Sequence, residues 1–354
     1  MTTLASRVHP HHSDVRSRRR RRFRDDGGAP VEIVEGAPSV AGRLLSLGAR
    51  LALRPALSIG SQLPIPWPYG ALDFVARALP PIAGTELSTV ELANCTAQVI
   101  RAKGVRPVDG TGRVLLFLHG GAFLAGGNHT HARMASILSR DIDAPVLLVD
   151  YRLLPKHSIG QALDDCEDGY YWLREMGYEA DQIVVAGDSA GGYLSLALAE
   201  RLLADGEHLA ALVAMSPLLQ LRADAKQAHP NIHSDALFGA GVFDFLNDLI
   251  EKAAARRVVD GAPEDVIEPL DRVQRGLPKT LIHVSGSEVM LHDARLGARR
   301  LADAGVPVEV RIWPGQLHGF QIAAGLVPEA DRSLRQIADY IRDATPEYLR
   351  EVAS

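Results

Sequence analysis

The sequence predicts an α/β fold built on a mostly parallel sheet with helices on both faces. Two observations carry this. From about residue 96 onward, short runs rich in Val, Ile and Leu alternate with helical segments, the pattern of strand–helix–strand units around a buried parallel sheet. Two of those runs stop in glycine-rich turns, His119-Gly120-Gly121-Ala122 and Gly187-Asp188-Ser189-Ala190-Gly191-Gly192. Turns of that kind fall at the carboxyl ends of strands, where such sheets carry their functional groups.

At 354 residues, 47% hydrophobic and 23% charged, the chain suits one large α/β domain with an insertion, or two small domains. No apolar run is long enough to cross a bilayer. The net charge of −5 hides an asymmetry: residues 1–30 hold eight arginines against three aspartates, which leaves −10 for the rest. A body of that charge is a poor partner for nucleic acid. Cys95 and Cys166 are too few for a disulfide framework and lack metal-ligand spacing. They read as buried free thiols, so a cytoplasmic location is expected.

Residues 1–30, with Arg18 to Arg22 in one run, read as a disordered basic tail without the apolar segment of a secretory signal. Residues 31–95 read as N-terminal cap helices: a Leu- and Ala-rich helix over 40–57 broken at Pro55, an extended stretch over 63–69, and a second helix over 71–79. The alternating prolines at 64, 66 and 68 exclude a helix between them. Residues 96–354 read as the core. Strands are expected over 96–105 (an edge strand), 114–118, 145–149, 183–186, 212–215, 280–284 and 308–312. Residues 222–276 interrupt the alternation as a polar, helical and strandless insertion, read as a second part of the cap.

The chemistry starts at Ser189. A buried strand, a glycine, the serine, two more glycines and a helix form a sharp turn that exposes the hydroxyl, and the small neighbours let the backbone fold back. A serine hydroxyl is a weak nucleophile and needs a base, which in turn needs an orienting carboxylate. Among 13 histidines, His318 stands out because it follows the last strand on a Pro- and Gly-rich loop, in the order serine, acid, histidine. His119 reads as a structural histidine shaping its loop. Two carboxylates follow the strand over 280–284, Glu288 and Asp293. Glu288 is favoured because it lies just past the strand end, whereas Asp293 lies near the start of the next helix. The consecutive glycines after Leu118 leave backbone N–H groups free to meet a developing negative charge.

With these residues in place, the chain resembles the hormone-sensitive-lipase-like esterase group of the α/β-hydrolases. Four segments match in order: His119-Gly120-Gly121-Ala122-Phe123, Asp150-Tyr151-Arg152-Leu153-Leu154-Pro155, Gly187-Asp188-Ser189-Ala190-Gly191-Gly192 and His318-Gly319-Phe320. The resemblance implies an α/β-hydrolase fold with a helical cap, carboxylic ester hydrolysis and no cofactor. Ser189 falls on the family's nucleophile and His318 on its base. The amides of Gly121, Ala122 and Ala190 fall on the oxyanion donors, with Gly120 shaping the turn. The family's acid site usually reads Asp-Pro-Leu-x-Asp, and here the stretch is Glu288-Val289-Met290-Leu291-His292. Glu288 precedes His318 by 30 residues and Asp293 by 25; the longer spacing resembles the family's. After Pro155 the chain reads Lys156-His157-Ser158-Ile159-Gly160, less apolar than is usual there.

The expectation is therefore a serine hydrolase cleaving carboxylic esters of small, relatively apolar substrates through an acyl-enzyme. An amidase or deacetylase with the same triad is the alternative, and a non-catalytic ligand-binding protein on the same scaffold a more distant one. A small-molecule ester is the expected partner; no metal, membrane span or nucleic acid is expected. The sequence leaves open whether the chain is a monomer or a homodimer.

Overall fold

The computed structural model describes residues 29–61 and 80–345. All but the last two residues of the basic tail, the proline-rich stretch and the helix expected over 71–79 lie outside the described residues. The strands are β1 (Val31–Val34), β2 (Glu86–Glu91), β3 (Thr96–Arg101), β4 (Val114–Leu118), β5 (Val146–Asp150), β6 (Ile183–Asp188), β7 (Ala211–Met215), β8 (Val258–Val259), β9 (Ala262–Pro263), β10 (Thr280–Ser285) and β11 (Val308–Trp313). Nine of them form one sheet in the order β1-β11-β10-β7-β6-β4-β5-β3-β2, and β8 and β9 make a separate short hairpin. Neighbours in the large sheet run parallel except at β3, which is antiparallel to both β5 and β2. This is the expected mostly parallel sheet.

The helices are α1 (Val40–Gly48), α2 (Arg54–Gly60), α3 (Asn128–Ile142), α4 (Ile159–Glu175), α5 (Ala190–Ala204), α6 (Asp224–Gln227), α7 (Asn231–Ser234), α8 (Ala240–Ala254), α9 (Leu291–Asp303) and α10 (Pro328–Ala344). They cover both faces because successive strand residues point to opposite sides. In β4, Leu115 and Phe117 pack with Ala135 and Leu138 of α3 and Ile337 and Ile341 of α10. Val114, Leu116 and Leu118 pack the other way, with Leu163 of α4, Leu194 and Leu198 of α5 and Leu301 of α9. All five β4 residues are fully buried, each contributing roughly 1.5–3 kcal/mol. A strand buried on both faces has no polar alternation to display, which is why a plain apolar run marks it.

Four expectations need correction, the last of them at Pro55. The segment 31–95 is not helical throughout, since β1 and β2 close the two edges of the sheet. The strand over 96–105 is interior, because β2 covers its outer side. Both added strands are largely solvent-exposed, so they carry little of the hydrophobic signal that betrays a central strand. The insertion 222–276, expected to be strandless, holds the β8–β9 hairpin beside α6, α7 and α8.

Pro55 does not end the first helix. A π-helical turn, Ala49–Leu53, joins α1 to α2, so Pro55 sits in the first turn of α2, where its fixed φ suits the helix. The looser turn absorbs the carbonyl that the proline ring would otherwise strike. Arg54 then ties this helical run to the insertion. Its guanidinium donates to the carbonyls of Ile232 at 2.9 Å, His233 at 3.2 Å and Asp235 at 2.8 Å. Arg54→Ala should lower stability in urea denaturation by about 1.5–3 kcal/mol, the scale of hydrogen bonds to a charged donor. Arg50→Ala, which loses one exposed contact, should change it by less than about 0.5 kcal/mol.

Candidate active site

Ser189 sits between β6 and α5 with φ 52° and ψ −117°, a conformation that costs an L-residue on the order of 1–3 kcal/mol. Its surroundings hold it there. The Ser189 N–H donates to Met215 O at 2.9 Å, and its carbonyl accepts from Leu218 N at 3.0 Å. A Cβ on Gly191 would lie 1.9 Å from Leu118 O, so the first turn of α5 can press against the end of β4 only with glycine there.

The three residues singled out as a triad come together. His318 Nε2 lies 2.9 Å from Ser189 Oγ, and His318 Nδ1 is hydrogen-bonded to Glu288 Oε2. Each follows a strand end, Ser189 after β6, Glu288 after β10 and His318 after β11. Since the carboxylate can only accept, Nδ1 carries the proton and Nε2 is free to take one from the serine. Burial pushes the imidazolium pKa down, but the Glu288 carboxylate beside it more than offsets this and raises His318 above its ordinary value. Phe238 sets its ring edge-on to the imidazole, 4.7 Å between centroids.

Glu288 is buried and its second oxygen is fully engaged: Oε1 accepts from Ser285 N at 2.6 Å and Ser216 Oγ at 2.7 Å. Asp293 is buried too but points elsewhere. It accepts from the amides of Leu219 at 3.0 Å and Gln220 at 3.2 Å and faces Lys226 Nζ at 3.5 Å. Burial pushes the Lys226 ammonium below its ordinary range. Asp293 thus shapes the loop after β7 and does not reach His318 in a hydrogen bond, so the geometry favours Glu288 as the acid.

Beside the serine, Gly121, Ala122 and Phe123 take positive φ values of 118°, 55° and 59°. This turns the amides of Gly121 and Ala122 out of the regular hydrogen-bond pattern, and Ala190 opens α5, where the first amides have no acceptor within the helix. Gly120, grouped with these residues from sequence, differs: its N–H donates to Asp188 Oδ1 at 2.9 Å, so it shapes the loop and has no amide to offer. A Cβ there would meet Asp188 Oδ2 at 2.3 Å. Burial pushes the Asp188 carboxyl up, yet nearby His131, at 3.1 Å, and the Gly120 amide hold it below its ordinary value. His119 is buried, its Nδ1 donating to Gly120 O at 2.8 Å and its ring stacked on Tyr151 at 4.2 Å. Burial pushes its pKa down to about 3, so it stays neutral, as expected of a structural histidine.

A family model for the alpha/beta hydrolase fold matches residues 115–322. The carboxylesterase/phospholipase LipF of Mycobacterium tuberculosis (strain H37Rv) is 59% identical over 319 residues, covering 90% of this chain and 86% of LipF. The chain belongs to the α/β-hydrolase family, in its hormone-sensitive-lipase-like esterase group. Esterase LipU from the same strain is 62% identical over 296 residues, covering 83% of this chain and all of LipU. Among solved structures, an esterase from the bacterial hormone-sensitive lipase family superposes with a TM-score of 0.74 at 26% identity, covering 88% of this chain and 100% of that one.

In this α/β-hydrolase the sequence left three supporting residues unnoticed. Ser216, with φ 46°, donates to Glu288 and accepts from Gly319 N at 3.1 Å, so one hydroxyl joins the acid to the loop of the base. Asp235 accepts from Phe238 N at 2.9 Å and Val289 N at 2.8 Å, fixing Phe238 to the loop of the acid. His131 stands against Asp188. Ser216, directly after a buried strand and before a proline, had a positional signal; Asp235 and His131 had none, because their partners are distant in sequence. Among the described residues no group of three metal-binding side chains occurs, and no helix is long and apolar enough to cross a membrane.

A base whose pKa is raised should give an acidic limb in kcat/KM above the ordinary histidine value of about 6.5, because His318 must be neutral to accept the serine proton. Glu288→Gln removes the charge that raises it while the lowering effect of burial stays. The limb should therefore move to lower pH, with kcat down about 10³–10⁴-fold. Asp293→Asn should leave the limb in place and instead cost stability, on the order of 3 kcal/mol, by leaving Lys226 buried without its counter-charge. A pH–rate series on the two variants separates the carboxylates.

Proposed function

We propose that this protein hydrolyses carboxylic esters of small, relatively apolar substrates through an acyl-enzyme. The observation that carries the reading is the hydrogen-bonded line from Ser189 through His318 to Glu288 beside the turned-out amides of the glycine loop. The names of the esterase relatives at 59% and 62% identity support it.

In this reading Ser189 Oγ attacks the ester carbonyl as its proton passes to His318 Nε2. Glu288 holds the imidazole with Nδ1 protonated and stabilises the cation that forms. The carbonyl oxygen, now negative, is met by the amides of Gly121, Ala122 and Ala190, each such donor contributing about 3–4 kcal/mol in the transition state. The tetrahedral intermediate collapses, the C–O bond to the alcohol breaks, and His318 returns the proton to the leaving alkoxide. Water then gives its proton to His318 and attacks the acyl-serine, and a second collapse frees the acid and restores Ser189.

Residues 40–60 and 222–276 act together as the cap in this reading. Arg54 ties the two segments, and Phe238 from the insertion supplies an apolar wall against His318, which favours apolar groups around the reacting carbonyl. A cytoplasmic location belongs to the same reading: Cys95 and Cys166 are free thiols, and burial pushes both up, Cys95 to about 12, leaving them protonated and quiet.

Hydrolysis of p-nitrophenyl butyrate should be readily measured in the wild type and fall about 10⁴-fold or more in Ser189→Ala. A fluorophosphonate probe should label the wild type and leave the variant unlabelled. Equal hydrolysis by the two proteins would overturn the proposal.

A further inference from the structure

The helical run from Val40 to Gly60 is turned the wrong way round for a helix whose only task is to cover a core. Its inward face carries Gly42 and Ala49, both buried, and Ser46, which donates to Gly315 O at 3.1 Å, with Leu45 the one bulky apolar side chain of α1 packed on the core. A Cβ on Gly42 would already meet the Gln316 amide at 2.9 Å. Most of the bulky apolar residues point out. Val40 is 74% exposed, Leu44 63%, Leu47 52% and Leu51 71%, and Ile59 extends the row at 59%. The first four are spaced by four, three and four, one continuous stripe along a helix. In ordinary amphipathic packing the leucines would face the protein and the glycine, serine and alanine the water.

The charge around the stripe points to one kind of surface. Arg43 and Arg50 are exposed and lie seven residues apart along its flank. From residue 36 to residue 72 the sequence holds Arg43, Arg50 and Arg54 and no aspartate or glutamate, although the chain as a whole is acidic. An exposed apolar stripe edged by arginine, on a segment free of acidic residues, is the pattern of a helix lying in the interface of an anionic lipid layer. The leucines enter the boundary with the acyl chains while the guanidinium groups meet the phosphates.

We infer that the α1–α2 run is a lipid-docking face that seats the protein reversibly on anionic membrane surfaces. It needs neither Ser189 nor hydrolysis, so its test stands apart from that of the proposed function.

The test is flotation of the full chain with vesicles of phosphatidylcholine alone or mixed with phosphatidylglycerol. The wild type should partition onto the mixed vesicles, and far less onto the neutral ones. At raised salt, where charge interactions are screened, the remaining partition comes from the stripe. There Leu44→Glu/Leu47→Glu/Leu51→Glu should lose roughly tenfold or more of it. At low salt Arg43→Ser/Arg50→Ser should bind the mixed vesicles roughly tenfold less or weaker still. Circular dichroism and melting curves check that both variants fold, as expected for changes confined to exposed side chains. Failure of the wild type to float with the mixed vesicles would overturn the inference, as would equal binding by the leucine variant. So would a wild-type dimer in sedimentation equilibrium that the leucine variant lacks, with no lipid binding, since the stripe would then be covered by a second copy of the chain.

Discussion

The site depends on one backbone conformation, the positive φ of Ser189 between a strand and a helix. That strain persists because four neighbours crowd the turn at once. Met215 and Leu218 hold its amide and carbonyl, the end of β4 presses on Gly191, and Asp188 is drawn toward the Gly120 amide and His131. The contact with Gly120 means that the residue before the nucleophile also shapes the loop that offers the oxyanion amides. Elbow and glycine loop are therefore one construction, and a side chain at Gly120 or Gly191 would disturb both halves.

The acid shows how surroundings assign roles to like groups. Glu288 and Asp293 are five residues apart and both buried. The carboxylate of Glu288 is divided between Ser216 and the Ser285 amide on one oxygen and His318 on the other. That of Asp293 is spent on two loop amides and Lys226. A carboxylate with one oxygen pinned by donors can present the other to a histidine without moving, which is the preorganisation an orienting acid needs. Ser216 and the Leu219 and Gln220 amides all follow β7, so the structural carboxylate supports the same loop that holds Glu288.

How much could be read in advance follows from burial. The strands of the sheet interior announce themselves because both of their faces are covered, and an unbroken Val/Ile/Leu run has few other uses. β1 and β2 do not, since edge strands are half solvated and β2 reads Glu-Leu-Ser-Thr-Val-Glu. Pro55 reads as a helix end, yet a single π turn lets the helix pass. The consecutive glycines read alike as offering free N–H groups, yet Asp188 occupies the amide of Gly120. Asp235 bridges segments far apart in the chain, and no local pattern can announce a partner 54 residues away.

By itself the sequence determined the layered α/β fold, the nucleophile turn and the histidine behind the last strand, because burial periodicity and glycine-bounded turns are local properties. Tertiary structure alone decided which carboxylate faces His318, which loop amides stay free, and that the first helices turn most of their leucines outward. Those outcomes depend on where distant segments meet, and a hydrogen bond or a covered face exists only once the chain has brought them together.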